Sequence, residues 1–325
     1  MKRIILPSLL VAGFGFATWL ALIKLPDRDS DPVFFGFSGR SSALQQSTIL
    51  PTLDSQLPPG KSAIWCSSFQ LAWNRLKADV VKAPVLVQNA ETLSAQLNAA
   101  PQTESDLPAN GVFATAGFVR DGIMKKISEG LAKFPAVSPP EINAAQDTIV
   151  AFAYLVASLK FDVKYSVNPN PLLFKNSNGE ITAVPSFGFG SEDHRYHHLM
   201  QQPFLLFVSA NKDEFVVDLC TDSHPNQIVL ARVKPKATLG ETLNDVVAKI
   251  EVPSENEHAP IIELQVPHIR FDVAHRFAEL EGADKQLRNS GFTDYHIAAA
   301  LQRVEFQLDR NGAKVESTAL IVAEK

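Results

Sequence analysis

The chain has 325 residues, 46% of them hydrophobic, which is ample apolar material for a sizeable core in one large domain or two ordinary ones. Its formal net charge of −5, with Lys and Arg scattered rather than clustered, leaves no basic footprint for nucleic acid. With 16 glycines, 21 prolines and no fixed-period repeat, collagen-like, low-complexity and solenoid readings do not apply.

Lys2 and Arg3 precede an uncharged, mostly apolar run from Ile4 to Ile23. Twenty residues at about 1.5 Å each cross a bilayer as a helix. Ile23-Lys24-Leu25-Pro26 follows where a cleaved signal peptide needs small residues, so residues 1–25 read as an uncleaved signal anchor in preference to a signal peptide. The rest of the chain is then expected outside the cytoplasm, membrane-anchored or secreted. Lys24 and Arg28 oppose Lys2 and Arg3, so the charge contrast that orients the run is small. Residues 26–60, polar and punctuated by Pro and Ser, read as a linker.

The domain proper is expected over 61–325. From Ser62 the residues Trp65, Phe69, Ala72, Trp73 and Leu76 recur at helical spacing and line one broad face, a core stripe. A second helix begins near Leu93 to Leu97, and a loop rich in Pro, Asn and Asp spans 98–110. Gly122 to Phe134 reads as a surface helix with Ile123, Ile127 and Leu131 inward, and 136–145 as a loop. Thr148 to Phe161 is apolar on both alternating faces, as in a strand buried on both sides. Asn178-Gly179 is a hairpin signal. Leu239, Leu243, Val246 and Ile250 form a helical stripe behind Thr238 and Glu241, which have capping-box spacing. Ile262 to Val266 alternates as a half-buried strand, and Pro267 ends ordinary pairing. A helix is predicted from His275 to Asn289, closed by Gly291. Arg303 to Leu308 alternates again, with Val304, Phe306 and Leu308 on one face, and opens into Asp309-Arg-Asn-Gly-Ala313.

The densest titratable cluster runs from Glu192 to His198. His194 and His198 would share a helix face at i, i+4, and with His197 they are candidate ligands for a divalent metal. Gly188 and Gly190 upstream, and the lack of a His-Glu-x-x-His frame, favour a solvated turn instead. No Gly-rich phosphate loop or nucleophile elbow is present, so the chain reads as a non-enzyme without a cofactor. Cys66 and Cys220 either pair in an oxidising compartment or serve as small buried hydrophobes; their apolar flanks favour the second.

The order Val266-Pro267-His-Ile-Arg-Phe271, then Ser290-Gly291-Phe292, then Val304-Glu-Phe-Gln-Leu-Asp-Arg-Asn-Gly312-Ala313 resembles the serpin superfamily near its reactive-loop hinge. Ala151-Phe-Ala-Tyr154 through Lys160-Phe161, Pro171 to Phe174, Ala183-Val184-Pro185 and the segments Phe215 to Leu219, Gln227 to Ala231 and Lys236 to Glu241 keep that family's order. So, more faintly, does Ser68 to Leu76. The resemblance spans roughly 148–319 and rests on residue types more than identities.

It implies an α+β, serpin-like fold with helices packed on mixed and antiparallel sheets. It places the reactive-loop hinge at Arg310, Asn311, Gly312, Ala313, Lys314, Val315, Glu316, Ser317, Thr318 and Ala319. Inhibition in that family requires an exposed loop which, once cut, inserts as a new central strand. This chain departs from the pattern: Arg310 stands where the family has Glu, and Lys314, Val315 and Glu316 stand among positions that are mostly alanine there. Burying Lys314 or Glu316 unpaired would cost several kcal/mol. The chain also ends near the bait residue, with thirteen residues after Gly312, so no strand is expected to be available for insertion. The expectation is protease-inhibitor ancestry without inhibition. The alternatives are a membrane-tethered binding or scaffold module that docks a protease or another protein through an exposed sheet edge, with residues 4–23 in the membrane, and a metal-dependent enzyme built on the histidine cluster at 194–198.

Overall fold

The computed structural model describes residues 11–13, 47–108, 110–134, 137–140, 142, 144–168, 170–175, 181–190, 199, 202–210, 213–220, 226–251, 261 and 263–325. In chain order the elements begin with β1 (Val11–Gly13), β2 (Ser47–Ile49), β3 (Ser62–Trp65), α1 (Ser68–Arg75), α2 (Glu91–Ala99), β4 (Val112–Phe118), α3 (Ile123–Leu131) and β5 (Ile149–Lys160). Short strands follow as β6 (Ser166–Val167), β7 (Leu172–Lys175), β8 (Ile181–Val184), β9 (Ser186–Phe189), β10 (Phe204–Val208), β11 (Phe215–Asp218) and β12 (Val229–Arg232). The chain closes with α4 (Leu239–Glu251), β13 (Leu264–Pro267), β14 (Ile269–Arg276), β15 (His296–Asp309) and β16 (Gly312–Glu324).

Because β5 is apolar on both faces, it sits inside the main sheet, whose strand order is β14-β15-β16-β5-β4 with every neighbouring pair antiparallel. On one face Ile149, Ala151, Ala153, Ala319 and Ile321 pack against Phe69, Ala72 and Trp73 of α1. The alanines let the helix approach closely, and full burial of Phe69 is worth about 1.5–3 kcal/mol. On the other face Val150, Phe152, Tyr154, Leu320 and Val322 meet Ile123, Ile127 and Leu131 of α3. The predicted inward stripe of that helix is therefore the stripe that packs. A separate core holds Phe161, Tyr165, Phe187, Phe189, Leu219 and Val266 among the smaller sheets β13-β9-β6 and β10-β11-β12.

Several expectations change. Ser62 to Trp65 is strand rather than helix, and Trp65 packs with Leu50, Ala63 and Leu239 away from the α1 stripe. The helix begins at Ser68 and continues as a π-helical turn, Leu76–Val81, that ends at left-handed Lys82. The predicted helix from His275 to Asn289 is absent. Its first residues extend β14, because β15 begins at His296, well before Arg303, and offers Gln302 and Leu301 as partners for His275 and Arg276. Beyond Arg276 the Phe277 N–H donates to the Ala300 carbonyl at 2.8 Å, and the Leu287 N–H to Tyr295 at 2.8 Å, so turns replace helical bonds. Glu241 N–H donates to Thr238 Oγ1 at 3.1 Å as the cap predicts, but the Glu241 carboxylate accepts from Ala237 N–H, one residue early.

Of the apolar run from Ile4 to Ile23, only Val11–Gly13 is described, as a strand paired antiparallel with β3. Among the described residues no helix is long and apolar enough to cross a membrane. In the 26–60 stretch, β2 pairs parallel with β3, and Ile49 and Leu50 are buried. Asn178-Gly179 lies outside the described residues; β7 and β8 on either side pair antiparallel.

Candidate functional site

The hinge expected at Arg310 to Ala319 is a β-turn followed by the first part of β16. Arg310 and Asn311 form a two-residue connection between the paired residues Asp309 and Gly312. The Asp309 carboxylate folds it by accepting from the Asn311 N–H at 2.7 Å and from Asn311 Nδ2 at 2.9 Å. The turn is fastened to the sheet as well: Phe161 N–H donates to the Asn311 carbonyl and Tyr165 N–H to the Arg310 carbonyl, both at 3.1 Å. Gly312 has φ +141°, and a Cβ there would lie 1.9 Å from the Leu159 carbonyl oxygen. Asn-Gly in the sequence is thus a turn with a backbone contact that only glycine permits.

From the turn, β16 runs between β15 and β5, paired with both along its length. Its side chains alternate. Ser317, Ala319, Ile321 and Ala323 enter the α1 core, whereas Leu320 and Val322 enter the α3 core. Lys314 and Glu316 fall on the second face below α3, where their side chains are 57% and 32% exposed and lie 3.5 Å apart. The alternation therefore removes the desolvation cost expected for these two charges in a central strand. Residues 312–324 already form a strand of the main sheet.

Glu316 sits opposite Glu305 in the register, an unfavourable pairing of like charges. Lys314 lies 3.5 Å from Glu316, and Arg303, bonded bidentately to Asp272 at 2.7 and 2.6 Å, lies 4.0 Å from Glu305, so each carboxylate of the pair has a cation beside it. The hydrogen bond to Asp272 is the main cause of the raised Arg303 pKa. Burial first, then the Glu316 charge, push the Tyr154 phenol far above its ordinary value.

On the opposite face lies a polar cluster that the sequence did not reveal. Gln302 Nε2 donates to the Cys66 carbonyl at 2.9 Å and to Ser68 Oγ at 2.7 Å. Ser68 Oγ is 2.7 Å from Ser317 Oγ, and Ser317 Oγ donates to the Arg303 carbonyl at 2.8 Å. With the Ser317 proton committed to Arg303, Ser68 must donate to Ser317, so the three side chains form one directed chain. Ser68, Gln302 and Ser317 are all buried, and Gln302 Oε1 has no hydrogen-bond partner among the described residues. The only hint available beforehand was a glutamine on the inward face of a strand otherwise lined by Ala300 and Val304.

The far end of β16 is held by charge. Lys325 Nζ lies 3.4 Å from Asp147 and from Asp294, and Asp147 also accepts from Arg120. The Arg120 hydrogen bond, then Lys325, hold the Asp147 carboxyl below its ordinary value of 3.8. A depressed carboxylate stabilises above its unfolded pKa and ceases to do so as pH falls through the folded one. The group is exposed, so the effect is small and screened by salt. The melting-temperature difference between wild type and Arg120→Gln is expected to be present at neutral pH and to vanish as pH falls below 3.8.

The histidine candidates His194, His197 and His198 lie outside the described residues. Among the described residues no group of three His, Cys, Asp or Glu side chains could hold a metal ion. Cys66 and Cys220 are free thiols; burial raises the pKa of both, Cys220 to about 12, where Asp218 and Asp162 add to it. Neither is therefore a ready nucleophile.

No family model matches the chain, and no curated relative does. Solved structures are similar to it. Cleaved kallistatin in complex with heparin shares 10% identity at a TM-score of 0.49, over 79% of this chain and 90% of that one. Ovalbumin from the emu, Dromaius novaehollandiae, shares 10% at 0.41, over 79% and 88%. A viral serpin shares 11% at 0.44, over 64% and 70%. Serpins are among the solved structures to which this chain is similar, and the likeness is one of fold.

Proposed function

We propose that this chain is a serpin-like protein of protease-inhibitor ancestry that does not itself inhibit, and that it serves as a non-enzymatic binding or scaffold module outside the cytoplasm. The observation that carries the reading is the place of β16. An inhibitor of the kind the sequence resembles must add a strand to its main sheet after the bait loop is cut, and release of strain on insertion drives the trap. Here Gly312 to Glu324, which include most of the residues expected as the hinge, already fill the central position between β15 and β5. The stabilisation that insertion would release is already present in the fold described.

Incubation with trypsin-, chymotrypsin- and subtilisin-type proteases is expected to give simple cleavage of exposed loops, with no band at the summed mass surviving boiling in detergent. Nicked and intact protein are expected to melt without a large gain on cleavage. A detergent-resistant complex that disappears in a Thr318→Arg variant would reverse the reading and make the chain an inhibitor.

The apolar run from Ile4 to Ile23 behind Lys2 and Arg3 favours a second element, a membrane tether. Val11–Gly13 cannot be both part of a spanning helix and paired with β3 as in the fold described. Fractionation of C-terminally tagged full chain from a bacterial host separates the alternatives. The tether reading expects the tagged chain in the membrane fraction at full length. A soluble full-length chain would assign Val11–Gly13 to the domain, and a soluble chain lacking its first residues would make the run a signal peptide.

A further inference from the structure

The main sheet has two outer strands, and their chemistry differs. β14 carries Arg270, Asp272, His275 and Arg276, the kind of charged residues that discourage edge-to-edge pairing. β4 reads Val-Phe-Ala-Thr-Ala-Gly-Phe, with no charge and no proline. Its ladder runs to β5 on one side only, and on the other side its backbone has no partner among the described residues. An uncharged open edge of seven residues is a template for another strand.

The sequence of β4 also indicates which strand. Laid antiparallel on itself about Thr115, it sets Val112 against Phe118, Phe113 against Gly117, Ala114 against Ala116 and Thr115 against its own copy. The bulky Phe113 then faces a glycine, the small residues face each other, and threonine pairs with threonine, a favourable cross-strand pair. Ala114 and Ala116 point into the α1 core, so the pairing uses backbone groups and leaves that core undisturbed. Phe113 is fixed from the other face, against α3, where a Cβ on Gly130 would lie 2.1 Å from its ring.

We propose that β4 is a homodimer interface, in which two copies of this chain pair edge to edge about a two-fold axis at Thr115 and join their main sheets into one. The proposal is independent of the non-inhibitory reading, since it concerns the outer edge of the sheet and not the seat of β16.

The test uses full chain in mild detergent, with mass read by sedimentation. Wild type is expected to shift from monomer to dimer as concentration rises. Thr115→Lys and Thr115→Asp, each placing like charges opposite each other, are expected to lose that shift when alone. An equal mixture of the two variants is expected to regain it. Hydrogen exchange on unsubstituted chain gives a second readout that does not depend on the variants folding: the amides of β4 that face away from β5 should gain protection with concentration. Two results overturn the proposal. One is protection that does not vary with concentration, which would mean that the chain covers its own edge. The other is absence of protection throughout, or a mixture that stays monomeric.

Discussion

A Gly312→Ala chain is expected to lose about 3 kcal/mol or more of stability, read as a large fall in melting temperature and as faster exchange of the β16 amides. Two costs coincide at this residue. Its φ of +141° is a conformation that an L side chain rarely adopts, and the added methyl carbon would stand 1.9 Å from the Leu159 carbonyl oxygen and 2.9 Å from Lys160 Cα. Those are backbone atoms of β5, so relief requires strand separation and not a rotamer change. Gly60 is the control: its φ is +69°, and nothing lies within 4 Å of a Cβ there. Gly60→Ala is therefore expected to cost only the conformational part, about 1 kcal/mol. Equal losses at the two positions would show that β16 is not held against β5 at the turn as described.

How far the sequence revealed this arrangement depended on whether a signal was local. The apolar period of Thr148 to Phe161 gave β5 nearly to the residue, since a strand packed on both faces needs no partner to be recognised. Val304, Phe306 and Leu308 gave part of β15 in the same way. His275 to Asn289 misled because its apolar residues also fit a helical face, and what decides is Ala300, a distant residue that supplies Phe277 with a hydrogen bond. Lys314 and Glu316 looked unsuited to a central strand while their face was unknown; once α3 is placed over Leu320 and Val322 only, the lower half of that face lies open to both charges. The Ser68, Gln302 and Ser317 cluster was out of reach for the same reason, since Ser68 comes from a helix 234 residues away in the chain from Gln302 and the hairpin that carries the other two.

That cluster supports the second large effect. Ser68→Ala is expected to cost about 2–4 kcal/mol, more than removing a hydroxyl usually does, because two buried groups lose their partner at once. Gln302 Nε2 would keep an unmet donor and Ser317 Oγ an unmet acceptor, both shielded from water. Gln302→Leu is expected to cost less than Ser68→Ala despite the larger change in chemistry. It leaves the Cys66 carbonyl and Ser68 Oγ without their donor, but it also removes Gln302 Oε1, an acceptor already without a partner. In a double-mutant cycle Ser68→Ala and Ser317→Ala should be less than additive, because the second change removes a group that the first had stranded. The cycle is read by chemical denaturation, whose slope should stay constant if the fold does. Additive losses, or a larger loss for Gln302→Leu than for Ser68→Ala, would mean that the three side chains do not form a single directed chain between α1 and β16.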